Sequence, residues 1–115
     1  MPITAQAEVD LQKMITLLNA IRDGMHEGLL AAGNHIVDLA SQLAPEDSGA
    51  LKLSGEATPV DDTVIVSFGN NLPDDRAIAQ EYGTIYMPAQ PYLGPAIKEI
   101  DIVEEVAIAV RRRLT

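Results

Sequence analysis

The 115-residue chain has no cysteine, and only four of its residues are aromatic, one phenylalanine and three tyrosines. Without thiols it can build neither a disulfide framework nor a thiolate metal site, and no cysteine nucleophile exists. With aromatics at 3%, the core must be aliphatic. No stretch approaches the about 18 uninterrupted apolar residues that cross a bilayer. The N-terminus has no basic segment leading into an apolar one, so no signal peptide is expected. These absences predict a soluble protein made in the cytoplasm, without membrane contact. Cations are scarce as well: 8 Lys and Arg stand against 17 Asp and Glu, for a formal charge of −9. That balance disfavours binding to a phosphate backbone. Its plainest service is solubility, and it also suits a wall past which DNA moves without sticking.

Signs of chemistry are missing too. No phosphate-binding glycine loop or dinucleotide fingerprint occurs, and no Gly-x-Ser-x-Gly elbow surrounds Ser48. His26 and His35 are nine residues apart and fall on roughly opposite sides of one helix. His35 and Asp38, one turn apart, make at most a two-ligand chance pairing. The pairs Asp61-Asp62, Asp74-Asp75 and Glu104-Glu105 diverge as neighbours do, and so cannot supply the facing carboxylates of acid–base hydrolysis. They read as a turn, a helix start and a solvated face. The expectation is a protein that is not an enzyme, with no cofactor and no metal.

What is present begins with a helical stripe. From about Thr4 to Leu43, apolar residues fall at Leu11, Met14, Ile15, Leu18, Ile21, Met25, Leu29, Ala32, Ile36, Leu39, Ala40 and Leu43. At about 100° per residue they keep to roughly a third of the circumference. A period near 3.6 favours a straight helix on a domain over a supercoil. At about 1.5 Å per residue the striped run would be about 50 Å long, against about 35 Å for a compact domain of this size. Either the helix bends near Gly24, or its N-terminal half projects and meets a neighbour. Ala20, Gly24 and Gly28 form a ridge that permits close helix approach, or else simply weaken the helix interior. Gly33 lies on the stripe itself, where close contact explains it better. Pro45 ends the helix.

Residues 44–51 then carry turn chemistry. Leu51 and Leu53 alternate with Lys52 and Ser54, which predicts a strand running through Ala57 and ended or placed at an edge by Pro59. Asp61-Asp62 makes a turn, and Thr63 to Phe68 returns as a strand with Val64, Val66 and Phe68 on one face and Ile65 on the other. The resulting hairpin must lie on the long helix or gain another strand. Pro73-Asp74-Asp75 opens a short helix with Ala77, Ile78 and Tyr82 on its apolar side and Gly83 as C-terminal cap. Thr84 to Met87 is a candidate short strand. A last helix is predicted from Pro95 to Arg113, with Ile97, Ile100, Val103, Ala107, Val110 and Leu114 inside. Ile102, Val106, Ile108 and Ala109 widen its apolar face beyond what one partner covers, which suggests a subunit contact. Arg111, Arg112 and Arg113 complement the negative helix end. The fold class expected is α+β: one domain over residues 1–115, with a long N-terminal helix and a C-terminal helix on a small antiparallel β-sheet, and one short helix before a proline-rich loop.

That loop, residues 81–96, holds three of the seven prolines and all three tyrosines. Each proline fixes φ and removes an amide donor, so this is a rigid loop with apolar side chains to place. Tyr86, Met87, Pro88, Gln90, Pro91 and Tyr92 are the candidates for interface or loop-anchoring residues, with Ile102 and Val106 as the helical part of the interface. Tyr82 and Leu93 are expected to be buried within the chain.

Glu81-Tyr82-Gly83-Thr84, followed by Met87-Pro88-Ala89-Gln90-Pro91-Tyr92-Leu93 and Pro95-Ala96, resembles a signature of a tailed-phage neck protein family. These are the gene-product-ten-like head–tail connector or tail-completion proteins of lambdoid siphophages. Residues 44–51 with Lys52 and Ser54 are similar to its upstream block, so the resemblance covers roughly residues 36 to 97. The chain departs from the pattern at Ser48, Gly55, Arg76 and Gly94, none of which removes a structural proline or glycine. The resemblance implies a virion assembly protein: a subunit of a homo-oligomeric ring, commonly a hexamer, at the head–tail junction. Its partners would be other neck and tail proteins, and DNA would pass nearby without specific binding. The alternative is a monomeric acidic binding module, an inhibitor or DNA mimic. It requires carboxylates gathered on one face, whereas here they are scattered along the chain. A small hydrolase would require a cleft with converging carboxylates.

Overall fold

Asp10 decides where the first helix begins. Its backbone is extended (φ −121°, ψ 167°), and its carboxylate accepts the Lys13 amide at 2.8 Å, which satisfies one of the orphan donors of a helix start. The computed structural model describes residues 3–44, 49–70, 72, 76–83, 89 and 91–115. Helix α1 spans Leu11–Leu43, 33 residues without interruption, so residues 4–10, predicted helical, lie outside it. It stops at Ala44, whose φ −64° and ψ 146° are the extended geometry imposed before a proline.

After α1 come α2 (Gly49–Lys52), β1 (Glu56–Val60), β2 (Thr63–Ser67), α3 (Arg76–Tyr82), α4 (Leu93–Glu99) and α5 (Ile102–Leu114). The architecture is α+β, with long N- and C-terminal helices and a two-stranded antiparallel sheet. The strand expected from Leu51 is instead a single helical turn. The Leu53 amide reaches back to Gly49 O at 3.2 Å, Leu51 drops into the core and Leu53 stays exposed. Buried Ser54 then joins the turn to the hairpin, its hydroxyl donating to Leu51 O and accepting the Gly69 amide.

The hairpin matches expectation. Val60 pairs with Thr63 across the two-residue turn Asp61-Asp62, and Asp61 takes φ 52°. Pro59 sits opposite Val64 in a position whose amide would point away from the partner strand, so its missing N–H costs no ladder bond. Val64 and Val66 turn towards α1 and Ile65 towards solvent. Gly33 lets the sheet settle, since a Cβ there would lie 2.7 Å from a Val64 methyl.

The predicted C-terminal helix is two helices. Ile100 is extended, and Asp101 accepts the Glu104 amide at 3.0 Å as the cap of α5. Ile97 on α4, and Val103 and Leu114 near the two ends of α5, all predicted inside, are exposed. Ile102, Val106 and Ala109 turn inward in their place, and Val110, predicted inside, lies against Gly24 of α1. Helices α1 and α5 run antiparallel, Gly28 beside Val106 and Gly24 beside Val110. A Cβ on Gly28 would lie 2.5 Å from the Val106 Cα, so the glycine ridge is a helix–helix seam. Arg113 ties the end of α5 to Glu27 at 2.9 Å and Asp23 at 3.9 Å.

The core sits at one end, where Ile36, Ala40, Ala44, Leu51, Tyr92 and Ala96 are buried. Principal extents are 88 × 23 × 20 Å and the radius of gyration is 21.2 Å, against about 13 Å for a compact chain of 100 residues. Among the described residues, no helix is long and apolar enough to cross a membrane.

Candidate interaction surface

The apolar stripe of α1 is continuous in sequence but covered only over its second half. Ala32, Gly33, Ile36 and Ala40 are all buried, Gly33 under the hairpin and Ile36 and Ala40 in the core with Ala96 of α4. The same face at Leu11, Met14, Ile15, Leu18 and Met25 is open to solvent. Of the two ways to accommodate the long helix, the structure takes projection of the N-terminal half. Where the stripe passes between the hairpin turn and α5 it floors a groove of about 620 Å³, lined by Leu18, Ile21, Met25, Leu29 and Val106.

The rim of the groove is polar. His26 Nε2 donates to Asp62 Oδ1 at 2.9 Å, and Arg22 Nη2 reaches the same oxygen at 3.5 Å. The hydrogen bond from His26, then the charge of Arg22, hold the Asp62 carboxyl below its ordinary value of 3.8. This cluster pins the hairpin turn to α1 at the mouth of the groove. On the far side of α1, His35 Nδ1 bonds to Glu105 of α5 and not to Asp38, its neighbour in sequence. Each histidine thus ties α1 to a different element, with one carboxylate apiece. Among the described residues, no three His, Asp or Glu gather as a metal site would need.

The loop candidates divide. Tyr86, Met87, Pro88 and Gln90 lie outside the described residues, as do the helix start at 73–75 and the candidate strand at 84–87. Pro91 is exposed. Tyr92 is 2% exposed and is a loop anchor, not an open contact. Its hydroxyl donates to Ala77 O at 3.0 Å, and its ring meets Phe68 edge-on at 5.2 Å, an arrangement favoured by the ring quadrupoles. Burial, and after it the charge of Glu81, raise its phenol above the ordinary 10.0. Tyr82, expected inside, is 79% exposed, whereas Leu93 is half-buried against the core.

Ile102 is largely spent on the chain's own core, because the break at Asp101 turns it inward. Val106 is half-buried, with its backbone at Gly28 and its side chain on the groove. Ile78, on α3, is exposed beside Tyr82.

Sequence reading missed Glu81 as the clasp of the proline loop. Its Oε1 accepts the amides of Tyr92 at 3.1 Å and Leu93 at 2.8 Å, and its Oε2 that of Gly94 at 3.3 Å. It caps α4 from another helix, and no local pattern announces a cap whose donors lie eleven to thirteen residues away. Asp101 did carry a signal, since Asp-x-x-Glu at 101–104 is a helix-start pattern.

Comparison of the chain with models of protein families, with curated proteins and with solved structures finds no match.

Proposed function

We propose that this chain is a structural assembly subunit that forms a ring at the head–tail junction of a tailed phage. It would complete the neck or tail end and reside in the virion. The observation that carries the assembly reading is the uncovered N-terminal half of the α1 stripe, five large apolar side chains in line on a projecting helix. Leaving such a half-exposed row in water forgoes about 1 kcal/mol per side chain, roughly half the value of full burial, and contiguous apolar surface of this kind marks a site of association. An elongated subunit with different surfaces at its two ends suits head-to-tail repetition, and such contacts make a ring when the rotation closes. The phage setting comes from the sequence resemblance over residues 36–97. The acidic balance fits a DNA conduit.

Electron microscopy of the protein mixed with the products of its neighbouring genes tests this, together with its mass in solution. Rings, or added density at the neck or tail end, are the expected result. A uniform monomer at high concentration that no phage particle recruits would defeat it.

A further inference from the structure

The segment ahead of α1 has properties that the ring reading leaves unused. Ile3, Ala5, Ala7 and Val9 alternate with Thr4, Gln6, Glu8 and Asp10, a period-two pattern that puts every apolar side chain on one face of an extended chain. Residues 3–10 are all exposed and not helical. Among the described residues, 3–9 make no hydrogen bond or ion pair with another. The longest dimension of the molecule, 88 Å, exceeds by far the about 50 Å of a 33-residue helix, so the arm reaches outward past α1 instead of folding back on it.

We propose that the arm of residues 3–9 of one copy docks in the groove between α1, the hairpin turn and α5 of a second copy. This rests on the assembly reading above and names its contact. Three observations select the occupant. The groove floor from Leu18 to Leu29 covers about 16 Å at 1.5 Å per residue, which an extended segment of about five residues spans at about 3.3 Å each. An alternating strand offers one apolar face to such a floor, while its polar face stays in water. Third, the charges do not clash: the arm carries Glu8 and no cation, and at the rim the charge of Asp62 is met by Arg22, with His26 bonded to the same oxygen. The arm lies at one end of the molecule and the groove nearer its middle, so the contact joins two different patches and, repeated head to tail, propagates from copy to copy.

The absence of native cysteine makes the test direct. Full-length Val9→Cys and Met25→Cys chains are mixed and oxidised under conditions where the protein associates, alone or on phage particles. The expected product is the mixed Val9→Cys to Met25→Cys dimer. A separate Ile3→Asp/Val9→Asp chain, altered only at exposed positions, should fold normally and associate about tenfold more weakly or worse. Dominant pairing of Met25→Cys with itself would show two stripes face to face and overturn the proposal. Closure within one chain carrying both cysteines at high dilution would overturn it too, as an arm folded onto its own helix. If rings form undisturbed with the arm variant, the arm proposal falls while the ring reading stands. If neither chain associates with anything, both fall.

Discussion

Two glycines separate backbone cost from packing need. Gly→Ala in a helix ordinarily gains about 1 kcal/mol. At Gly28 the added Cβ would meet the Val106 Cα at 2.5 Å and the Glu105 carbonyl at 3.0 Å. Backbone cannot step aside as a side chain can, and overpacking costs about 1–3 kcal/mol. Gly28→Ala should therefore lower stability by up to about 2 kcal/mol in urea denaturation. Gly49→Ala, with no neighbour within 4 Å, should leave stability level or raise it by up to about 1 kcal/mol. Tyr92 gives a second residue-scale outcome. Its phenol titrates higher in the folded state than unfolded, so its contribution is fully present below about pH 10 and is lost as pH rises towards the folded value. Tyr92→Phe should cost about 1 kcal/mol at pH 8 through the lost bond to Ala77 O. The gap between variant and parent should narrow as urea midpoints are followed from pH 9 to 11.

Between elements, the connections matter more than the elements themselves. Glu81 gathers three amides at the start of α4, and hydrogen bonds to a charged group contribute about 1.5–3 kcal/mol. Glu81→Ala should therefore destabilise by about 2 kcal/mol or more, with faster amide exchange at residues 92–94. Asp101→Ala, which removes the α5 cap, should cost about 1 kcal/mol, read from thermal midpoints. These two residues also mark where the fold was legible in sequence. The period of α1, its stop before Pro45, the Asp61-Asp62 hairpin and the Gly83 cap are local patterns, and each could be read within a few residues. Phase errors arose where a polar residue outranked an apolar repeat. At Asp10 a cap shortened α1, and at Asp101 a cap divided one helix into two and rotated Val103 out and Ile102 in. Leu51 and Leu53 alternate as a strand would, but Ser54 satisfies the Leu51 carbonyl and makes a turn. The candidate surface was half legible. The stripe was evident, but coverage of only its second half depends on where α4 and the hairpin land. Tyr82 departs from expectation because Gly83 ends α3 with Tyr82 facing solvent, while Tyr92 takes the anchoring one of its two expected roles, received by Phe68 and Ala77.

At the scale of the molecule, the question is whether the projecting half of α1 keeps its shape without a partner. Helices shorter than about 12–15 residues are marginal when isolated, and residues 11–20 extend towards solvent with little tertiary cover. Several features favour persistence. The segment continues a helix held from Gly24 onward by α5, so it propagates from an existing nucleus and escapes the nucleation penalty. Asp10 caps its first turn, and Thr16 bonds back to Gln12 O. Met25→Asp provides the test, because Met25 is exposed within one chain yet central to the groove. It should leave the thermal midpoint nearly unchanged and suppress association. Small-angle scattering of that monomer should then return a radius of gyration close to 21.2 Å. A value near 13 Å, that of a compact chain, would mean that the N-terminal half folds back and covers its own stripe. The open surface on which the proposed assembly depends would then not exist in the free subunit.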